Sequence, residues 1–217
     1  MKKNQPWVLI FILFSSLSLF GQQMFQHLLG LNSFPDYTWT GAGPDTNWTT
    51  ATNWNGNIVP GSIHTAHFIC AACTTHCLAT INASISVAGI DIQTTYNSTI
   101  TQAPGFTVTV GTSGFSQSGG TFAGGNSDIL INSDFILNGG TFNSTTARLQ
   151  LGHGSTVTGS VAMVAPGLYS HNNGTVELGG GGSGGLVATL NMNGATFYNL
   201  SLKDRTSAGV SFNFPGT

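Results

Sequence analysis

Cysteine and histidine are concentrated in one short segment, where they could bind a metal ion. Cys70, Cys73 and Cys77 lie close together, and Cys70-Ala-Ala-Cys73 has the C-x2-C spacing of many zinc ligands. Three histidines lie in or beside the same segment. A zinc site would draw its ligands from six side chains: His64, His67, Cys70, Cys73, His76 and Cys77.

The alternative for the same cysteines is a disulfide, because exported proteins meet an oxidising environment. Zinc motifs usually add a second ligand pair about 12–20 residues further on, and the next histidine here is His153. The spacing therefore favours a disulfide that closes a small loop between Cys73 and Cys77 and leaves Cys70 as a thiol. A Cys70–Cys73 pair is the other option. We expect no metal and no other cofactor.

Three of the four tryptophans, Trp39, Trp48 and Trp54, lie within one short stretch. Aromatic rings could stack on sugar rings, which would make this stretch a glycan-binding site. Large rings could instead cover the open end of a stack of strands, where the first coil has no neighbour. The pattern favours the cap, and glycan binding remains the alternative.

The groups that an enzyme would need are scattered along the chain. Glycosidase chemistry needs two carboxylates that face each other, and the spacing singles out no pair, although Asp134 and Glu177 could approach each other. The run Lys203-Asp204-Arg205 is typical of a solvated turn, and His153 and His171 are expected on exposed turns. The sequence therefore predicts no catalytic residues.

The composition indicates a secreted all-β protein. Charged residues make up 6% of the chain and hydrophobic residues 40%, whereas about 25% of an ordinary soluble domain is charged. The apolar content argues against a disordered chain. Lys and Arg together number five, too few for a nucleic-acid-binding surface.

The first residues have the pattern of an export signal. Lys2 and Lys3 precede an apolar run from Trp7 to Phe20, which is too short to span a bilayer comfortably, and Gly21 offers a small residue for cleavage. An uncleaved anchor is the alternative. We predict a signal peptide at 1–21, a spacer at 22–36, a Trp- and Cys-rich cap at 37–77 and repeats at 78–217. After cleavage we expect no transmembrane segment.

Six segments share one design, in which Gly or Asn, a small residue, Thr and a large apolar residue follow one another. Their threonines recur at an imperfect but recognisable interval: Thr99, Thr121, Thr141, Thr156, Thr175 and Thr196. This recurrence predicts a solenoid with rungs of about 20 residues. The Gly or Asn would adopt the left-handed conformation of a corner, and the Thr would point outward. The final residues would form one inward column: Ile100, Phe122, Phe142, Val157, Val176 and Phe197.

The motifs Trp39-Thr-Gly-Ala-Gly, Asn47-Trp48 and Asn53-Trp54, with the two Gly-Gly-Thr-Phe copies, resemble secreted adhesin-like surface proteins of Bacteroidetes-type bacteria. The resemblance implies a right-handed parallel β-helix (β-solenoid), with export by the Sec route and a type IX system. Such proteins are usually longer and end in a sorting domain. We therefore expect this chain to be an N-terminal fragment or a truncated gene product.

Together these observations predict a non-catalytic structural or adhesive module at the cell surface or in the extracellular matrix. The expected partner is an extracellular glycan or matrix component, and the chain would be monomeric or continued in a longer chain. Two alternatives remain: a glycan-binding module that uses Trp39, Trp48 and Trp54, and a polysaccharide lyase or hydrolase of the parallel β-helix type.

Overall fold

The structure is a computed structural model that describes residues 36–69, 77–152, 160–179, 188–191, 194–203 and 212–213. Within these ranges the regular structure is β-strand, apart from two short 3-10 segments at Ala51–Asn53 and Asn55–Asn57. The strands are β1 (Tyr37–Thr38), β2 (Thr65–Phe68), β3 (Ala79–Ile81), β4 (Ile85–Ile92), β5 (Thr99–Gln102), β6 (Val108–Ala123), β7 (Ile129–Ile131), β8 (Phe135–Asn143), β9 (Arg148–Leu151), β10 (Val161–Met163), β11 (Leu168–Ser170), β12 (Thr175–Gly179), β13 (Ala188–Asn191), β14 (Asn199–Lys203) and β15 (Phe212–Asn213).

The strands form three stacks, which the chain visits in the same order on each turn. Stack A contains β1, β2, the second half of β4, the middle of β6, the start of β8, β10, β13 and β15. Stack B contains β3, β5, the end of β6, the end of β8 and β11. Stack C contains the first halves of β4 and β6, then β7, β9, β12 and β14.

Every pair of named strands in the described residues is parallel, so the predicted parallel β-solenoid is confirmed, with about five turns. The rungs vary more in length than the sequence period predicted. Phe115 pairs with Phe135, at the expected spacing, whereas Val161 pairs with Leu190, so that turn is clearly longer. Parallel strands in neighbouring rungs satisfy each other's backbone hydrogen-bonding groups, and the corners take up the extra length.

Each stack contributes an inward column of apolar side chains to one core. Stack A supplies Ala66, Ile90, Phe115, Phe135 and Val161, and stack C supplies Ile85, Val108, Ile129, Leu149 and Val176. All ten are buried. In stack B the aromatic rings stack directly: Phe122 and Phe142 are 5.1 Å apart with 9° between their planes.

The structure corrects the expected column of six residues. Ile100, Phe122 and Phe142 do lie above one another in stack B, but the next member is Tyr169, which contacts Phe197 at 5.8 Å. Val176 instead pairs with Leu149 in stack C. The same four-residue motif leads into different stacks because it specifies only a corner followed by an extended residue. Val157 lies outside the described residues.

The corner glycines also differ from the expectation. At the two Gly-Gly-Thr-Phe copies the second glycine is left-handed, with φ of 57° at Gly120 and 69° at Gly140. The first glycine, Gly139, is required for another reason: a Cβ there would lie within 3.0 Å of the Ser118 backbone. In two other copies of the motif the first residue is left-handed, as expected: Asn173 and Gly194.

Replacing Phe142 by Asp should open the stack at the fourth rung. Loss of the buried ring alone costs about 3–5 kcal/mol, and an unpaired carboxylate in the core adds to that cost. Thr141→Asp alters the neighbouring, half-buried position that points away from the core, and should cost less than about 1 kcal/mol. Urea unfolding followed by circular dichroism measures both variants. Equal losses in the two variants would contradict the assigned register.

Candidate functional site

The three clustered tryptophans lie inside the cap rather than on its surface. Trp39, Trp48 and Trp54 are 0–1% exposed. Each ring packs against Phe68 at 5.8–6.0 Å, and Trp54 contacts both other indoles edge-on. These contacts occupy the ring faces, so a sugar could not stack on them without unpacking the core. The three indoles are therefore core residues beside the first described strands, and they offer no exposed ring for the glycan-stacking hypothesis.

A buried asparagine holds the loop around the tryptophans. Asn53 is fully buried; its Nδ2 donates to the backbone oxygens of Asp45 (3.1 Å) and Asn47 (3.0 Å), and its Oδ1 accepts the Gly43 N–H at 2.8 Å. The backbone N–H of Asn47 and the hydroxyl of Thr50 lower the pKa of the Asp45 carboxyl. In the two Asn-Trp pairs, the indoles of Trp48 and Trp54 thus fill the core, while the side chain of Asn53 hydrogen-bonds to the backbone of the loop.

Asn53→Ala should destabilise the cap, because it leaves the buried Gly43 N–H without its partner and removes two part-buried hydrogen bonds to the carbonyls of Asp45 and Asn47. One buried group without a partner costs about 1–3 kcal/mol, so we expect a loss of at least about 2 kcal/mol in thermal or urea unfolding. Asn55→Ala is the control: it removes one exposed hydrogen bond to the Thr38 N–H and should cost less than about 1 kcal/mol. A milder effect at Asn53 than at Asn55 would refute the role of Asn53.

The two histidines of the predicted metal site that the structure describes have other partners. His64 Nδ1 accepts the Gly61 N–H at 3.0 Å, and burial lowers the pKa of His64. His67 Nδ1 and Nε2 face two carboxylates, and Cys77 is half-buried. Across the described ranges, no three His, Cys, Asp or Glu side chains are arranged to hold a metal ion. Cys70, Cys73 and His76 lie outside those ranges, so the Cys73–Cys77 disulfide stays a prediction and the zinc site stays its alternative.

His67 connects the cap to the first full rungs. Its Nδ1 lies 3.0 Å from Asp91 Oδ2, and its Nε2 lies 3.3 Å from Asp36 Oδ2. The hydrogen bond to Asp91 raises the pKa of His67, and the contact with His67, with help from Gln93, lowers the pKa of Asp91. The two shifts agree in direction, as expected for an ion pair formed on folding.

This pair makes stability depend on pH. Because the pKa of His67 is raised above 6.5, its contribution is complete below pH 6.5 and is lost as the pH rises through the raised value. The lowered pKa of Asp91 makes its contribution present above about pH 3.8 and lost as the pH falls through the lowered value. Since both groups are partly exposed, the total is about 1 kcal/mol or less.

His67→Gln should therefore flatten the decline in unfolding free energy between pH 6 and pH 9, by about 1 kcal/mol or less. Asp91→Asn should flatten the same decline, because it removes the main partner of the imidazolium. Urea titrations at several pH values measure the slope. An unchanged slope in both variants would show that the pair does not form.

Four charged side chains form a row along stack C. Arg148 lies 2.6 Å from Asp128 Oδ2 and 3.6 Å from Glu177 Oε1, and Lys203 Nζ lies 3.3 Å from Glu177 Oε2. The Glu177 side chain is 5% exposed, the others about a third to a half. Sequence reasoning missed this row because its members belong to successive rungs. Only the strand register, such as Gly179 with Lys203, brings them together.

The other acidic side chain considered for catalysis has a different location. Asp134 precedes a strand of stack A, and its Oδ1 accepts the Ser160 N–H at 2.7 Å. Glu177 lies in stack C with basic partners. Each of the two carboxylates is thus engaged separately. Asp204 and Arg205 lie outside the described residues.

Comparisons of this chain with protein-family models, curated proteins and solved structures gave no match. No helix in the described ranges is long and apolar enough to cross a membrane.

Proposed function

We propose that this chain is an exported, non-catalytic module that presents a stiff surface to an extracellular glycan or matrix. The observation that carries the proposal is the outer surface of stack B, which is free of charge along its described length. Its outward positions hold Thr80, Thr101, Ala123, Asn143 and Ser170 in one row and Thr99, Thr121, Thr141 and Leu168 in the next. Strand spacing repeats such groups about every 4.8 Å, which suits a repeating polymer better than a small molecule.

The state of the titratable groups supports a non-catalytic role. Catalysis needs an acid, base or nucleophile that converges on a space where substrate can sit. Here Asp128, Arg148, Glu177 and Lys203 contact one another, and His67 contacts two carboxylates. Such pairs stabilise neighbouring rungs and leave the charges committed to one another.

The proposed location rests on the sequence. Residues 1–21 have the pattern of a cleaved signal, and the Trp39-Thr-Gly-Ala-Gly and Gly-Gly-Thr-Phe motifs resemble secreted adhesin-like proteins. Export by the Sec route and a type IX system, with residence at the cell surface or in the matrix, follows from that resemblance.

One observation favours the enzymatic alternative: two bases and two acids lie side by side in the stack C row. A lyase or hydrolase would need Lys203 or Arg148 to leave its carboxylate partner and act on a sugar. Incubation with a panel of plant and algal polysaccharides would reveal such activity as new unsaturated or reducing ends. Release that disappears in Lys203→Ala would replace the non-catalytic proposal.

Export and adhesion test the proposal together. Cells that express the whole chain should place it outside the cell, and deletion of residues 2–21 should retain it inside. Cells that display the chain should adhere to polysaccharide-coated surfaces at least several-fold better than cells that display Phe142→Asp, in which the stack is opened. Export without any gain in adhesion would reject the adhesive role.

A further inference from the structure

Tyr198 is the one strongly exposed aromatic ring among the residues whose burial the structure describes. Its exposed fraction is 61%, whereas the other aromatic rings in that set are buried or half-buried. It lies at the corner between stacks B and C, just before β14. An exposed phenol ring has two useful parts, an apolar face and a polar hydroxyl at its edge.

The ring of Tyr198 is held in place by the corner of the preceding turn. Its plane stacks on the imidazole of His171, with 5.7 Å between the ring centres and 26° between the planes. His171 follows β11 and begins a turn at 171–174, in which Asn172 and Asn173 are left-handed. Asn172 Nδ2 donates to the Ser144 carbonyl of the rung below at 2.9 Å. The platform is thus ordered before any ligand arrives, which reduces the entropy cost of binding.

Hydrogen-bonding residues adjoin His171 and Tyr198 in the sequence. His171 Nδ1 accepts the Asn173 N–H at 2.9 Å, so a neutral His171 carries its proton on Nε2, where it is a donor. Asn173 is two residues after His171, and Asn199 directly follows Tyr198. Both residues are exposed, and each side-chain amide offers a donor and an acceptor. The stretches 168–176 and 194–202 contain no charged residue.

An aromatic face with neutral donors and acceptors at its edge is complementary to a pyranose ring, which has an apolar face and a rim of hydroxyls. We infer that the corner formed by Tyr198, His171 and Asn173 binds a sugar unit of a neutral extracellular polysaccharide. Tyr198 supplies the stacking surface, and His171 and Asn173 supply hydrogen bonds to the hydroxyls. This inference rests on the proposed adhesive function and names its ligand class and its site.

The inference moves the glycan site from the tryptophan cluster to the corner before β14. The sequence alone pointed to Trp39, Trp48 and Trp54, whose rings are buried in the cap. The charged row is a poorer site for an acidic sugar, because its basic side chains already face Asp128 and Glu177. A neutral ligand also predicts that binding changes little with salt.

The test is binding of the purified exported protein to four neutral hexasaccharides, cellohexaose, laminarihexaose, xylohexaose and mannohexaose, with polygalacturonate as the acidic probe. Calorimetry and saturation-transfer NMR measure affinity and the ligand protons in contact. We expect at least one neutral hexaose to bind, Tyr198→Ala to weaken its binding by about tenfold or more, and Tyr198→Phe to weaken it less than about threefold. Ile63→Ala is the matched control, since Ile63 is an exposed apolar residue (49%) outside the stack B surface and outside this corner, and its replacement should not affect affinity.

Several outcomes would overturn the inference. These are no binding of any neutral hexaose, binding that Tyr198→Ala leaves intact, and binding of polygalacturonate alone. The adhesion assay separates this failure from that of the proposed function: cells that display Tyr198→Ala and still adhere would keep the adhesive role and reject this site. Circular dichroism confirms that each variant is folded before its affinity is compared.

Discussion

The in-register pairing of parallel strands is the constraint on which the rest of this structure depends. Each strand hydrogen-bonds to the equivalent strand of the rungs before and after it, so a side chain lies above its counterpart one turn earlier. Interior positions must therefore be apolar in each successive rung, as Phe122 above Ile100 and Phe142 above Phe122 illustrate. Polar groups at the same depth need local partners: the side-chain amide of buried Gln102 donates to backbone carbonyls and accepts the Gly125 N–H.

The same constraint makes the end of a stack costly, because a terminal rung would expose its apolar column and unpaired backbone groups. Beside the first described strands, three indoles pack on Phe68, and Asn53 hydrogen-bonds to the backbone of the loop that carries them. The imidazole of His67 in β2 contacts two carboxylates, that of Asp36 before β1 and that of Asp91 in β4. This region thus combines ring packing, buried hydrogen bonds and an ion pair, and of these three interactions the ion pair is the one that depends on pH.

Much of the fold could be predicted from the sequence, because a solenoid repeats its local signals. The Thr and Gly spacing indicated the turns, and the tryptophan cluster indicated a cap. The stack to which each motif belongs could not be predicted from the sequence. Asn173-Gly-Thr-Val176 and Gly139-Gly-Thr-Phe142 look alike, but the first leads into stack C and the second, inside β8, leads into stack B. The row from Asp128 to Lys203 was missed because it exists only through register. Tyr198 drew no attention because exposure depends on what the neighbouring rung covers, and a single sequence does not contain that information.

Short and long rungs occur in this one stack without loss of strand pairing, as the Phe115–Phe135 and Val161–Leu190 pairs show. The free-energy cost of a longer loop grows only with the logarithm of its length, so insertions at the corners leave the ladder intact. A foreign peptide placed at the exposed turn at 104–105, where a Cβ on Gly105 would meet nothing within 4 Å, would project from a rigid backbone. The architecture is in this sense a display scaffold, in which new epitopes can be grafted and varied while the columns beneath them stay unchanged.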